Sequence, residues 1–139
     1  MKVVIICALV PLLAAAPFYR GMFPNGYNVP NPCANDLWQA VGHMDPYHHT
    51  MEKNQFGKDF AAAGHTWTHA LCMKDSDGDG RTNGEELGDP GCKWNVGDKP
   101  ADVARGQPGI CEPVGSHACR GQNFTCGTHH RVNLKTLNL

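Results

Sequence analysis

Charge is scarce in this chain. Asp, Glu, Lys and Arg make up 18% of its 139 residues and nearly cancel, leaving a net charge of −1 with His neutral. No basic block is present, which argues against nucleic acid or an anionic membrane as the main partner. Long apolar runs are missing as well: past the first sixteen residues nothing approaches the roughly twenty needed to span a bilayer. There is no H-E-x-x-H motif and no recognisable nucleophile–base set, so no enzymatic activity is expected. Aromatics are few, at 8%. A chain of this length forms one small domain, or one domain with a tail, and a small core gains from covalent or metal staples.

The one apolar run, Val3 to Leu13, follows Lys2 and ends on Ala14-Ala15-Ala16. A positive start, a short apolar stretch and small residues make residues 1–16 a signal peptide, with Pro17 allowing the cut to slip by a residue or two. The protein is then secreted and extracellular, neither spanning nor anchored. Cys7 leaves with the leader, so seven cysteines become an even set: Cys33, Cys72, Cys92, Cys111, Cys119 and Cys126. In a short exported chain that set reads as three disulfides. Export also makes Asn123, in the sequon Asn123-Phe124-Thr125, a glycosylation candidate.

What the sequence does have is a twelve-residue acidic loop, Asp75-Ser76-Asp77-Gly78-Asp79-Gly80-Arg81-Thr82-Asn83-Gly84-Glu85-Glu86. It fits D-x-[DN]-x-[DN]-G-x5-E from end to end. Ca²⁺ takes six to eight oxygens, and this spacing supplies them: the carboxylates of Asp75, Asp77 and Asp79, the Arg81 backbone carbonyl, Asn83 directly or through water, and both oxygens of Glu86. Gly80 makes the sharp turn. The competing reading is an acidic, Gly-rich surface turn; four carboxylates so close repel one another without a cation, which favours calcium as the cofactor.

Around the loop the chain reads as a small α+β, loop-rich, disulfide-stapled domain. One main helix leads into a single EF-hand-like calcium loop, with few short strands. Residues 18–35 are rich in Pro, Gly and Asn and form an arm with turns. Asp36 to His43 fits two helical turns, with Leu37, Trp38 and Val41 facing the core. The main helix runs from about Lys58 to Met73, where Phe60, Ala63 or Gly64, Trp67 and Leu71 make an apolar stripe. Beyond the loop only Asn83 to Leu87 can be helical before Gly88-Asp89-Pro90-Gly91 stops it. With one loop and a stunted exit helix there is little to open, so calcium is expected as a permanent staple and not a switch. The loop ends are neighbours, which favours a Cys72–Cys92 bridge; Cys33–Cys111 and Cys119–Cys126 complete the expected set.

Eight histidines are many for this length. His65 and His69 stand at i and i+4 on the expected helix, and His43 can add a third nitrogen for copper or zinc. Such a pair also arises by chance, and structural or surface roles are the plainer reading. His48-His49 and His129-His130 sit in polar surroundings and look solvated.

Beyond these patterns, an ordered series of segments carries a resemblance. Asn25-Gly26, Val29-Pro30 and Pro32-Cys33 come first, then Val41-Gly42-His43. A block follows from Phe56-Gly57-Lys58-Asp59-Phe60 through Ala63-Gly64-His65-Thr66-Trp67-Thr68. Leu71-Cys72-Met73-Lys74 runs into the acidic loop and on to Leu87-Gly88-Asp89-Pro90, Cys92 and Trp94, and Pro108-Gly109-Ile110-Cys111 ends the series. Together these resemble the temptin family of secreted gastropod pheromones, over roughly residues 24–112. The domain limits follow: 17–112 as the temptin-like domain and 113–139 as a Cys-containing polar tail. The resemblance implies a water-borne attractant that acts with other secreted proteins such as attractin-like peptides and is read by a chemosensory receptor. The Asp45-to-Thr50 stretch and the tail depart from the family pattern. Tyr19, Phe23 and Tyr27 on the arm are candidates for a partner surface, or for the core. The alternatives are a histidine-dependent copper or zinc protein and a calcium-stabilised matrix module.

Overall fold

Side-chain amides, more than ladders of backbone hydrogen bonds, hold this chain in shape. The computed structural model describes residues 19–127. The helices are α1 (Gln55–Ala62), α2 (His69–Met73) and α3 (Asn83–Leu87), with 3-10 turns at Tyr19–Met22 and His117–Cys119. Among the described residues there is no strand. The expected short strands reduce to two isolated antiparallel bridges, Pro30 with Leu37 and His43 with Lys53. The leader at 1–16, His129-His130 and the end of the tail lie outside the described residues.

The single helix expected from Lys58 to Met73 is two helices. Asn54 caps α1, its Oδ1 accepting from the Gly57 N–H. The helix ends at Ala62, and Gly64 (φ 70°) and His65 (φ 54°) then take the left-handed conformation, which breaks the helical path. Thr68 starts α2 afresh by accepting from the Leu71 N–H. Phe60 and Leu71 are still buried and Trp67 is half-buried, so the apolar stripe is served by two short helices and the turn between them.

Residues 36–43 are not helical either. The Trp38 N–H donates to the Val29 carbonyl (2.8 Å) and the Ala40 N–H to that of Pro46 (2.9 Å), so long-range partners replace helical ones. The Trp38 ring is fully buried, its Nε1 shared between the carbonyls of Ala40 and His43. Leu37, expected inside, is exposed. The core gathers Phe23, Val29, Trp38, Val41, Phe56, Phe60, Leu71, Leu87, Ile110 and Phe124. Phe23 meets Phe56 and Phe60 edge-on, each with ring centres 5.3 Å apart.

Of the three disulfides, Cys72–Cys92 joins the residues expected, with Cα atoms 5.8 Å apart. The other two correct the expected pairs. Cys33 bonds Cys126 in place of Cys111, and Cys111 bonds Cys119, leaving Cys126 free to reach the arm. The reason is local. The Gln122 carboxamide accepts from the Cys111 N–H (2.9 Å) and donates to the Cys111 carbonyl (2.8 Å), folding the segment back on itself. Phe124 then packs beside Trp38 and carries Cys126 across to Cys33. Cys119 and Phe124 are buried, so the segment after residue 112 contributes to the core.

Asn54 holds the middle of the fold. Besides capping α1, its Nδ2 donates to the carbonyls of Val41 (2.7 Å) and His43 (3.0 Å), and it is 2% exposed. Asn54→Asp keeps the cap acceptor, removes both donations and buries a charge. We expect it to destabilise the fold by about 2–4 kcal/mol, read from urea unfolding; an unchanged midpoint would show that these carbonyls find other partners.

Candidate metal centre

Asp75 organises the acidic loop. Its Oδ1 accepts from the N–H groups of Gly78 (2.9 Å) and Asp79 (3.2 Å), and its Oδ2 from that of Gly80 (2.8 Å). Gly78 (φ 72°) and Gly80 (φ 93°) make the left-handed turns that aim those N–H groups inward. Asp79 N–H also donates to Asp77 Oδ1 (3.2 Å), and the Arg81 N–H to Asp79 Oδ1 (3.0 Å). The loop is closed at its base by the Asn83 N–H, which donates to the Lys74 carbonyl (2.7 Å), and by the Cys72–Cys92 bridge. Thr82 and Glu85 then form a reciprocal capping box that starts α3, and Gly88 (φ 83°) ends it.

This geometry brings one carboxylate oxygen each from Asp75, Asp77 and Asp79 within 4.8 Å of one another. Two oxygens on opposite sides of a calcium ion, each at 2.3–2.6 Å, are separated by about that distance. Glu86, 1% exposed, turns its side chain inward from α3, and its Oε2 has no hydrogen-bond partner. Asp77 Oδ2 is also buried without one. Burial, then the charges of Asp77 and Asp79, push the Glu86 carboxyl up to about 11. Burial, followed by the Asp79 charge, raises Asp77 to about 9. Buried acceptors with nothing to accept from are costly, and a cation is what this set can take up.

One expected ligand has a different task. Asn83 is fully buried, and its Nδ2 donates to the Leu71 carbonyl and to Ser76 Oγ, both at 2.8 Å. Its Oδ1 accepts from the Ser76 N–H (3.4 Å). Asn83 therefore ties α2 to α3, and its amide is engaged away from the ligand set. Glu112, which no local spacing could have singled out, shares a cavity of about 510 Å³ with Asp79, Arg81 and Glu86. Burial leads in raising its carboxyl above the ordinary range, and Asp79 adds to it.

The histidines do not assemble. Among the described residues, Asp75, Asp77 and Asp79 form the one group of three or more potential ligands whose atoms converge. His65 lies in the turn between α1 and α2 and stacks on Tyr19, ring centres 4.1 Å apart. His69 is exposed at the start of α2, and His43 meets His49 edge-on. The break between α1 and α2 removes the i, i+4 relation on which the copper or zinc reading depended. On the arm, Phe23 is core, Tyr19 packs against Phe60, and Tyr27 is half-exposed under the Arg20 guanidinium, 4.4 Å from its ring centre. Asn123 is exposed.

A pH dependence follows from the buried carboxyls. Their folded-state pKa values lie above the unfolded range of about 4. The cation-free fold is therefore favoured below that range and loses stability as pH climbs through it toward 9. In chelator, circular dichroism should show a higher thermal midpoint at pH 5 than at pH 8, and Asp77→Asn should flatten the decline. A midpoint that rises with pH in the wild type would contradict this.

The comparisons with known proteins extend over this whole region. The family model described as Temptin C-terminal matches residues 13–110. Temptin of Aplysia californica is 50% identical over 102 residues, which cover 73% of this chain and 78% of that protein. No solved structure matches the chain at a significant level. The matched segment holds α1, α2, the acidic loop and α3 with the Cys72–Cys92 bridge, and on that basis the chain belongs to the temptin family.

Proposed function

We propose that this protein is a secreted, water-borne signal of the temptin type that acts with other secreted peptides of the attractin-like kind and is read by a chemosensory receptor. The observation that carries the reading is the 50% identity to Aplysia temptin across most of both chains. At that level the two share a fold. Three disulfides in a small domain fit the oxidising exterior. No helix among the described residues is long and apolar enough to cross a membrane. The exposed Asn123 is a candidate for a sugar, which would not disturb the packing of Phe124.

Calcium is the structural cofactor in this reading. Asp75, Asp77, Asp79, the Arg81 carbonyl and Glu86 are its ligands. Extracellular modules of this kind bind with dissociation constants of roughly 10⁻⁴ to 10⁻³ M, matched to the calcium outside cells. The loop's role is conformational: neutralising Asp77 and Glu86 removes the repulsion that opposes folding, and α3, only five residues long, has no lever to move. At 100 times the dissociation constant, occupancy adds about 2.7 kcal/mol.

The test is behavioural and thermal together. Purified protein should attract members of its own species in open water. Chelated protein should lose that activity and regain it when calcium is restored. Calcium should raise the thermal midpoint by about 10 °C at pH 7. Attraction that survives chelation, with no change in midpoint, would separate the loop from both fold and signal; absence of attraction by the calcium-loaded protein would remove the pheromone reading and leave a calcium-stabilised extracellular module.

A further inference from the structure

We propose that Glu112 belongs to the same metal centre, a ligand delivered from outside the twelve-residue loop, so that the bound cation ties the loop to the C-terminal segment. The inference rests on the calcium reading above and adds to it a residue that the loop motif does not contain. Glu112 lies two positions past the end of the segment matched by the family model, and the loop motif does not contain it.

Four observations meet at this point. First, the loop alone reaches only the minimum number of oxygens and leaves room for more. With Asn83 engaged by Leu71 and Ser76, the loop offers one oxygen each from Asp75, Asp77 and Asp79, one carbonyl from Arg81 and two from Glu86. That is the bottom of the six-to-eight range calcium takes. Second, Glu86 is 1% exposed with its Oε2 unpartnered, and it lines one cavity with Asp79, Arg81 and Glu112. Third, Gly106 leaves room for two carboxylates. A Cβ there would fall 2.9 Å from Glu86 Oε1 and 3.5 Å from Glu112 Oε1, so both groups approach the place where that residue has no side chain.

Fourth, Glu112 is held as metal ligands usually are, by a hydrogen bond from a rigid support. Its Oε1 accepts from the Gln107 N–H at 2.7 Å. Gln107 is itself fully buried; its Nε2 donates to the Val41 carbonyl (2.8 Å) and its Oε1 accepts from the Gly109 N–H (2.7 Å). A carboxylate so anchored through one oxygen still has a second to offer. The rest of the cavity wall comes from Pro32, Pro113, Val114 and Cys126. A cation held there is bounded by the arm, the loop, α3 and the segment after Cys111.

Calorimetric titration of Ca²⁺ into the full chain tests this with three proteins: wild type, Glu112→Gln and Glu85→Gln. Gln at 112 keeps the acceptor for the Gln107 N–H and removes the charge. Glu85→Gln makes the same charge change on the exposed side of α3. Glu112→Gln should weaken calcium binding by about tenfold or more, since losing even a group that only supports a metal ligand costs about 10- to 100-fold; Glu85→Gln should stay close to wild type. In chelator Glu112→Gln should be as stable as wild type or more so, because it removes a repelling charge and keeps the acceptor for the Gln107 N–H. Calcium should slow hydrogen exchange at the Gln107 amide in the wild type and leave it unchanged in Glu112→Gln. Wild-type protein that takes up no calcium at millimolar concentration would overturn the calcium reading beneath. Wild-type binding matched by Glu112→Gln would overturn this inference alone. If Glu112→Gln does not fold, Glu112→Asp carries the test, with its charge kept and its reach one methylene shorter: weaker binding supports a ligand, and equal affinity overturns it.

Discussion

A fold whose described residues form three short α-helices and two isolated bridges must still satisfy the backbone groups it buries, because an unpartnered buried carbonyl or N–H costs about as much as a lost hydrogen bond. Here the carboxamides do that work. Asn25 donates to the carbonyls of Leu87 and Asp102, Asn54 to those of Val41 and His43, Asn83 to that of Leu71, and Gln107 to that of Val41. Gln122 bonds both sides of Cys111. A primary amide is suited to this because it donates twice and accepts on the other atom. Each of these side chains joins segments that helices or strands would otherwise have joined, so the loop-rich fold rests on a handful of amides.

The acidic loop sits inside that framework and stresses it. Asp77 and Glu86 are withdrawn from water and face other carboxylates, which opposes folding unless protons or a cation neutralise them. The framework keeps the loop assembled regardless: Asn83 locks its base, the Cys72–Cys92 bridge closes it, and the Trp67 Nε1 and the Lys93 and Trp94 N–H groups donate to the Asp89 carboxylate just beyond α3. A site so preorganised gains affinity because little ordering remains to be done on binding.

The sequence made the loop itself legible, since its turns and its spacing are local. The five-residue α3 was legible too, from Gly88, and so was the Cys72–Cys92 bridge, because a loop that doubles back brings its own ends together. The temptin resemblance, carried by ordered blocks and not by composition, held. Other features depend on contacts that sequence spacing does not encode. Phe60, Trp67 and Leu71 fit one helix or two, and only the left-handed Gly64 and His65 decide between them. The partners of Cys33 and Cys111 follow from the Gln122 clasp and from Phe124 seating beside Trp38. Asn83 fits the ligand pattern equally well whether it points at a cation or at Leu71. Glu112 comes to line a cavity with Asp79, Arg81 and Glu86 only through the folding of the chain after Gly106.

The Cys33–Cys126 bond has a topological consequence. It joins residues 93 apart, and the other two disulfides lie within the span it closes. Almost the whole described chain is therefore a covalent ring. A peptidase that cuts any single bond between Cys33 and Cys126 opens the ring without releasing a fragment, since the two pieces remain joined through the same disulfide. The long exposed stretch from Lys93 to Arg105, where proteolysis is most accessible, falls inside that span. A nicked copy thus keeps its surface together, and persistence in the presence of a peptidase depends on how long the disulfide lasts more than on how long the backbone stays whole.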